Sequence, residues 1–226
     1  MPLLGSAAML LSFNVDASAV EEHDRWHTHE HLPERLSIPG FLRGTRWIAT
    51  RAGPRYMVLY EVEMLETLSS EAYLARLNSP TAWTTRMMLH YREMSRGLCA
   101  VLGSFGLGQG GVAALIRFSP RGSHAMPLHQ WLLDEALPTV PQMPGFGSAH
   151  LLQGAQAAAM TNEQHIRGVD RGVESAIIIT GYDGDAVAKF ADELCGVDSL
   201  PRRGAADLTC ATYRWNYSLA SEEVDA

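Results

Sequence analysis

The sequence predicts an α+β fold in which two βαββαβ repeats pack sheet to sheet, and three observations carry that expectation. Residues 26–41 read WHTHEHLPERLSIPGF and residues 131–146 read WLLDEALPTVPQMPGF; Trp26, Glu30, Leu32, Pro33, Pro39, Gly40 and Phe41 recur, without a gap, 105 positions later as Trp131, Glu135, Leu137, Pro138, Pro144, Gly145 and Phe146. AMLLSF (8–13) aligns with AALIRF (113–118) at the same offset, and YMVLYE (56–61) matches AIIITG (176–181) after a longer loop. Between the copies, GSFGLGQGG (103–111) is glycine-rich and uncharged, the composition of a flexible linker. Two copies of this length make a tandem pair, not a solenoid. Residues 1–105 then form one ferredoxin-like repeat and residues 112–220 a second, degenerate one.

The elements follow in order. MLLSF is short, apolar and bounded by small residues, a buried strand. Ser18 and Glu21 have capping-box spacing, so a helix is expected to start near Ala19. Pro33 lacks an N–H and disfavours helix at Leu32, which predicts a stop at about His31, and Pro39-Gly40 reads as a turn. FLRGTRWIAT (41–50) and YMVLYEV (56–62) flank a Gly-Pro loop of hairpin length. Helical segments over 69–77 and 81–94 precede the last strand, LCAVLG (98–103), and the second copy repeats the order with Pro127 in the first turn of its helix. This is a split βαβ arrangement with helices on one face of each sheet, so each bare face can cover the other as an α+β barrel. The cavity between the sheets is the expected place for a ligand. Strand alternation turns Tyr56, Val58 and Tyr60 toward that cavity and Met57 and Leu59 toward the helices; Leu10, Ser12, Asn14 and, in the second copy, Arg117 are expected to face inward as well.

Bulk properties remove several function classes. Residues 1–105 hold ten basic and eleven acidic side chains and the remainder eight and fourteen, so neither half offers the basic patch that nucleic acid requires. No apolar run reaches the length of a membrane span, and the apolar start lacks a basic n-region and matches a later strand. Cys99, Cys195 and Cys210 are odd in number and form no CxxC, which favours a cytoplasmic setting with free thiols. GLGQGG joins two repeats instead of leading a strand into a helix, so it is no nucleotide loop.

Trp26, His31-Leu-Pro33, Pro39-Gly40 and Trp47, in that order and spacing, resemble the EthD-like branch of the dimeric α+β barrel superfamily over residues 8–62. There an aromatic precedes a His-x-Pro at the end of the first helix and a Pro-Gly turn follows. The resemblance implies an intrachain dimeric α+β barrel with one polar site, because the second copy carries Ala136 where His31 stands. It leaves the reaction open among cofactor-independent oxygenases, isomerases, cyclases and lyases, since fold does not determine function.

Four histidines lie within residues 23–31: His23, His27, His29 and His31. His27-Thr-His-Glu-His31 satisfies H-x-x-E-H, but no third ligand is identifiable and Pro33 follows, so no metal is expected. His23, His27 and His29 read as a solvated surface. At a helix C-terminus His31 gains imidazolium stabilisation and can act as acid or base. Tyr60 is a candidate donor to an oxyanion, Arg46 a carboxylate holder and Trp47 a stacking surface, although Arg46 and Trp47 alternate and cannot both enter one cavity. The expected function is cofactor-independent chemistry on a small hydrophobic carbonyl or aromatic compound, with His31 and Tyr60 catalytic and Trp47, Arg46, Tyr56, Ser12 and Arg117 binding substrate. The competing readings are a non-catalytic binding or accessory protein and a scaffold whose barrel is filled by Phe13, Phe118 and Tyr60. An outer sheet edge or helix face leaves room for a homodimer of whole chains, though no feature demands one.

Overall fold

A computed structural model describes residues 3–155 and 160–224 of the chain. Strands β1 (Ala7–Val15), β2 (Phe41–Arg51), β3 (Tyr56–Val62) and β4 (Tyr91–Gly106) lie in the order β4-β1-β3-β2. Strands β5 (Val112–Pro120), β6 (Phe146–Gly154), β7 (Ser175–Gly181) and β8 (Ala205–Ala220) repeat it as β8-β5-β7-β6. Antiparallel pairing of β4 with β6 and of β2 with β8 closes the two sheets into one barrel. Closure rests on the 16-residue strands β4 and β8, each of which pairs within its own half and then crosses to the other.

That crossing corrects the expected linker. Residues 103–106 are strand, with Gly103 opposite Leu151 and Gly106 opposite Ser148, so only residues 107–111 connect the halves. Gly106 ends the strand at φ +91°, where an added Cβ would meet the Gly147 carbonyl at 2.1 Å; no other residue fits there.

The first helical segment also departs from expectation. The Ser18/Glu21 capping box does not form: a 3₁₀ turn (Ala17–Ala19) leads into α1 (Val20–Trp26) and neither start is capped by a side chain. The helix does not stop at His31. It widens into a π turn (His27–His31) and runs on as α2 (Leu32–Leu36), with Leu32 N–H donating to the His27 carbonyl five residues back. Widening the turn just before Pro33 relieves the clash between the proline ring and the preceding turn, so the helix continues without the missing N–H. After α5 (Ala125–Trp131) the second half has the same π turn (Leu132–Ala136), ahead of Pro138.

Ser70 and Thr81 cap α3 (Glu71–Asn78) and α4 (Ala82–Met88) by accepting from the N–H of Tyr73 and Thr84. The helix expected over 81–94 ends at Met88, because Tyr91 onward is drawn into β4. The long β6–β7 connection holds α6 (Asn162–Arg167), which leaves its own half and packs on α3 and α4. Asp183 caps α7 (Gly184–Cys195). No helix is long and apolar enough to cross a membrane among the described residues.

Two outer cores and one inner core result. Met9, Leu11, Phe13, Tyr56, Val58 and Tyr60 pack against α1–α4, and Ile116, Phe118, Ile177 and Ile179 against α5 and α7. Leu10, Trp47, Met57, Leu59, Leu115, Leu152, Ile178 and Tyr213 fill the middle of the barrel. The expected phase of β3 was therefore inverted. Leu10 lies opposite Leu59 and Leu11 opposite Val58, and residues opposite one another in a ladder share a face, so Met57 and Leu59 must join Leu10 inside. The same registers place Tyr60 opposite Met9 and Ile179 opposite Ala114, so Tyr60 corresponds to Ile179 and the alignment of 56–61 with 176–181 is one residue out. In a strand, one residue is a change of face.

Candidate functional site

The candidate site lies outside the barrel wall, between the first sheet and its helices. The π turn keeps residues 23, 27 and 31 on one face, and that face meets the sheet. His23, His27 and His31 are 0%, 1% and 6% exposed, which corrects the expected solvated surface; His29 alone of the four points to solvent. Their rings form a ladder, with centroids 5.5 Å apart from His23 to His27 and again from His27 to His31. Trp26 lies over His31 at 4.3 Å. At the corresponding positions the second half carries Leu128, Leu132 and Ala136, ordinary components of its outer core.

The lower end of the ladder is tied down. His23 Nε2 is 3.2 Å from the Tyr91 hydroxyl, and Asp24 accepts from the Tyr56 hydroxyl at 2.8 Å. Arg46 donates to the Asp24 carbonyl, Thr28 Oγ1 and Asn216 Oδ1. Glu30 accepts from Trp26 Nε1 and Thr81 Oγ1, holding the ladder helix to the start of α4 by hydrogen bonds. The upper end is free: His27 Nδ1 and His31 Nδ1 have no hydrogen-bond partner among the described residues.

Electrostatics make the ladder neutral at pH 7. Burial pushes His31 well below the ordinary imidazole value, and the Arg35 guanidinium and His27 add to the effect. His27 is lowered in the same way, first by burial and then by Arg46. The expected imidazolium at a helix terminus is thus corrected, because the helix continues past His31 and the ring is buried. A neutral imidazole of this kind has a free lone pair to accept a proton, and the burial and cations that keep it neutral also make it a weaker base until a bound anion offsets them.

His31 and Tyr60 line one cavity of about 20 Å³, together with Arg35, Tyr73, Glu163 and Arg167. That volume holds a single water-sized guest. The Tyr60 hydroxyl is buried without a hydrogen-bond partner among the described residues, and burial pushes its ionisation well up, so it stays protonated. Arg35 is 1% exposed; Nη2 pairs with the Glu163 carboxylate, while Nη1 makes no hydrogen bond and lies 3.6 Å from Glu34. Burial opposes the Arg35 charge, yet Glu163 holds its pKa above the ordinary value. Arg167 braces the same corner, with Nη2 2.7 Å from Asp170 and Nη1 3.9 Å from Glu163. The first half thus carries His31, Arg35 and Tyr60 where the second has Ala136, Val140 and Ile179.

The other side chains singled out from the sequence do not converge here. Tyr56 and Arg46 are committed to α1, as above. Trp47, Ser12 and Arg117 face the barrel, on the opposite side of the sheet from His31. The middle of the barrel is packed by the inner core, and Phe13, Phe118 and Tyr60 belong to the outer cores and do not fill it. Arg35 and Glu163 were missed. Arg35 was detectable: it replaces a residue whose counterpart, Val140, is core. Glu163 had no local signal, since its partner is 128 positions away.

Comparison with known proteins bears on the fold. No family model matches the chain, and no curated protein does. Solved structures match along nearly its whole length. An anthrone oxidase-like protein superposes with a TM-score of 0.68 at 10% identity, over 99% of this chain and 97% of that one. A candidate monooxygenase from Fusobacterium nucleatum gives 0.62 at 8% identity, over 96% of each chain. A major regulator of staphylococcal pathogenesis gives 0.50 at 12% identity, over 92% and 98%. The fold is a dimeric α+β barrel, with one chain supplying both halves.

Proposed function

We propose that the chain is a cofactor-independent, EthD-like α+β barrel enzyme that moves a proton on a small hydrophobic carbonyl or phenolic compound at His31. One observation carries the reading: His31, Arg35 and Tyr60 bring buried polar atoms without hydrogen-bond partners among the described residues to one cavity, at positions the other half fills with Ala136, Val140 and Ile179. Burying unpaired polar atoms costs roughly 1–3 kcal/mol each, and a fold-only role would not call for them. Neutral His31 takes a proton from an acidic C–H or O–H of the substrate. The Tyr60 hydroxyl and the Arg35 guanidinium then hold the negative charge that develops on the adjacent oxygen. Isomerisation, cyclisation, lyase chemistry and attack on molecular oxygen all begin with that step. The Trp26, His31, Pro33, Pro39-Gly40 and Trp47 pattern and the anthrone oxidase-like and monooxygenase relatives support the reading. The tandem order, with one half armed, and three free thiols fit a duplicated cytosolic enzyme.

A cavity of about 20 Å³ admits no such substrate as it stands, so α6 must withdraw Glu163 from Arg35 to open it. The test is an incubation with anthrone and with smaller cyclic diketones, following solvent deuterium exchange at the acidic C–H and oxygen uptake. His31→Ala is expected to lose about a hundredfold or more of the exchange rate while remaining folded, and Tyr60→Phe somewhat less. Full activity in His31→Ala removes the mechanism. Ligand-induced thermal stabilisation without turnover replaces it with a binding role, one compatible with a regulator having this fold.

A further inference from the structure

Arg117 belongs to none of the chemistry above, and its surroundings are those of a second binding site. It projects from β5 into the open end of the barrel, where Nε donates to Thr209 Oγ1 at 3.3 Å and Nη1 to Ser12 Oγ at 3.2 Å. Among the described residues no carboxylate lies within ion-pairing reach, and Nη2 makes no hydrogen bond. A partly buried guanidinium held only by two hydroxyls is an unusual expense for a fold.

A cavity of about 280 Å³ opens beside it, lined by Arg117, Leu115, Ala211, Tyr213 and the hairpin residues Gly53 and Pro54. Its volume sits near the lower end of small-ligand pockets, roughly 300 Å³. Arg117 is the charged side chain of this lining among the described residues; the rest is mostly apolar. Tyr213 is 1% exposed and its hydroxyl has no hydrogen-bond partner among the described residues. Burial pushes that phenol up to about 12, so it remains a donor. It stands against the β2–β3 hairpin, where Gly53 at φ +67° leaves room: an added Cβ would come within 2.9 Å of the hydroxyl oxygen. A neighbouring cavity of about 320 Å³ also touches Arg117, but Arg171, Asp207 and Glu174 share it and their charges offset one another.

We propose that this end of the barrel binds a small carboxylate with an apolar body, its carboxylate on Arg117 and the Tyr213 hydroxyl and its body against Leu115, Ala211 and Pro54. Arg117 and Ser12 lie on the barrel side of the sheet and Met9, Leu11 and His31 on the other, so the site is separate from the His31 cavity.

Calorimetric titration of the full chain with hexanoate and with benzoate tests it, with benzamide as the neutral control and inorganic phosphate as the second anion. The expected result is binding of at least one carboxylate to the wild type and to His31→Ala with equal affinity, and no binding of benzamide. Arg117→Gln should weaken binding by about tenfold or more, the loss of a charge-assisted hydrogen bond, and Tyr213→Phe by several-fold. Removing an unpaired cation should leave the melting temperature of Arg117→Gln unchanged or raised; if that variant fails to fold, Tyr213→Phe decides. Failure of both carboxylates to bind, equal affinity in Arg117→Gln and Tyr213→Phe, or binding of phosphate without either carboxylate overturns the proposal.

Discussion

His27 occupies a core position that the second half gives to Leu132, and its Nδ1 is buried without a partner. Replacing it with leucine should therefore stabilise the protein at pH 7 by about 1 kcal/mol, the low end of what an unmet buried polar atom costs. Urea denaturation at equilibrium measures this, and a destabilised His27→Leu would show that the imidazole has a partner in solution. The ladder also sets a pH dependence. Burial holds His23, His27 and His31 below the ordinary value of 6.5, and holds His150, on β6 with its ring between Ser104 and Ser148, down to about 3. With the folded value lower, the unfolded chain takes up protons first as pH falls. Stability should be complete above about pH 7 and decline as pH drops below the unfolded value, by up to about 1.4 kcal/mol per pH unit for each histidine. His27→Leu should flatten that decline, and an unchanged slope between pH 5 and 7 would rule out a neutral His27 in the folded state.

At the scale of elements, α6 supplies one wall of the His31 cavity through Glu163, Gln164 and Arg167. It belongs in sequence to the second half but lies on α3 and α4 of the first, joined through the buried Glu163–Arg35 pair. Removing one partner of a buried pair costs up to roughly 3–5 kcal/mol, and less where, as here, a second carboxylate remains: Glu34 lies 3.6 Å from Arg35 Nη1. Glu163→Ala should destabilise by up to that much and speed amide hydrogen exchange across 162–167. Combining it with Arg35→Val, the residue type the second half has at Val140, should restore much of the loss. Strict additivity of the two changes would show that the pair does not hold α6 in place.

For the whole molecule, closure is the governing feature. Each four-stranded sheet has two unpaired edges until β4 meets β6 and β2 meets β8, and the apolar faces carrying Leu10, Leu59, Leu115 and Ile178 are covered only by each other. Residues 1–108 or 109–226 produced alone should self-associate or aggregate, and the two produced together should co-purify as an equimolar complex. Size-exclusion chromatography with light scattering measures this; a monomeric, cooperatively folded half would mean that the barrel seam contributes little.

By itself the sequence determined the element order, the hairpins, the Pro39-Gly40 and Pro144-Gly145 turns and the asymmetry between a histidine-bearing half and one without. These are local signals, written in proline, glycine, capping residues and apolar periodicity, and repetition at a constant offset made them legible twice. His31 stood out for the same reason, a polar departure from Ala136, whereas the sequence alignment set Tyr60 against Thr180 and only the strand register revealed its apolar counterpart Ile179. Tertiary structure alone decided which face of β3 meets the helices, that the helix runs through Pro33, and that the His31 cavity lies outside the barrel. It alone brought Glu163 to Arg35 and left Arg117 without a carboxylate. Those outcomes depend on strand register and on contacts between residues more than a hundred positions apart, and a one-residue change of register, which hydropathy scarcely detects, reverses every side chain in a strand.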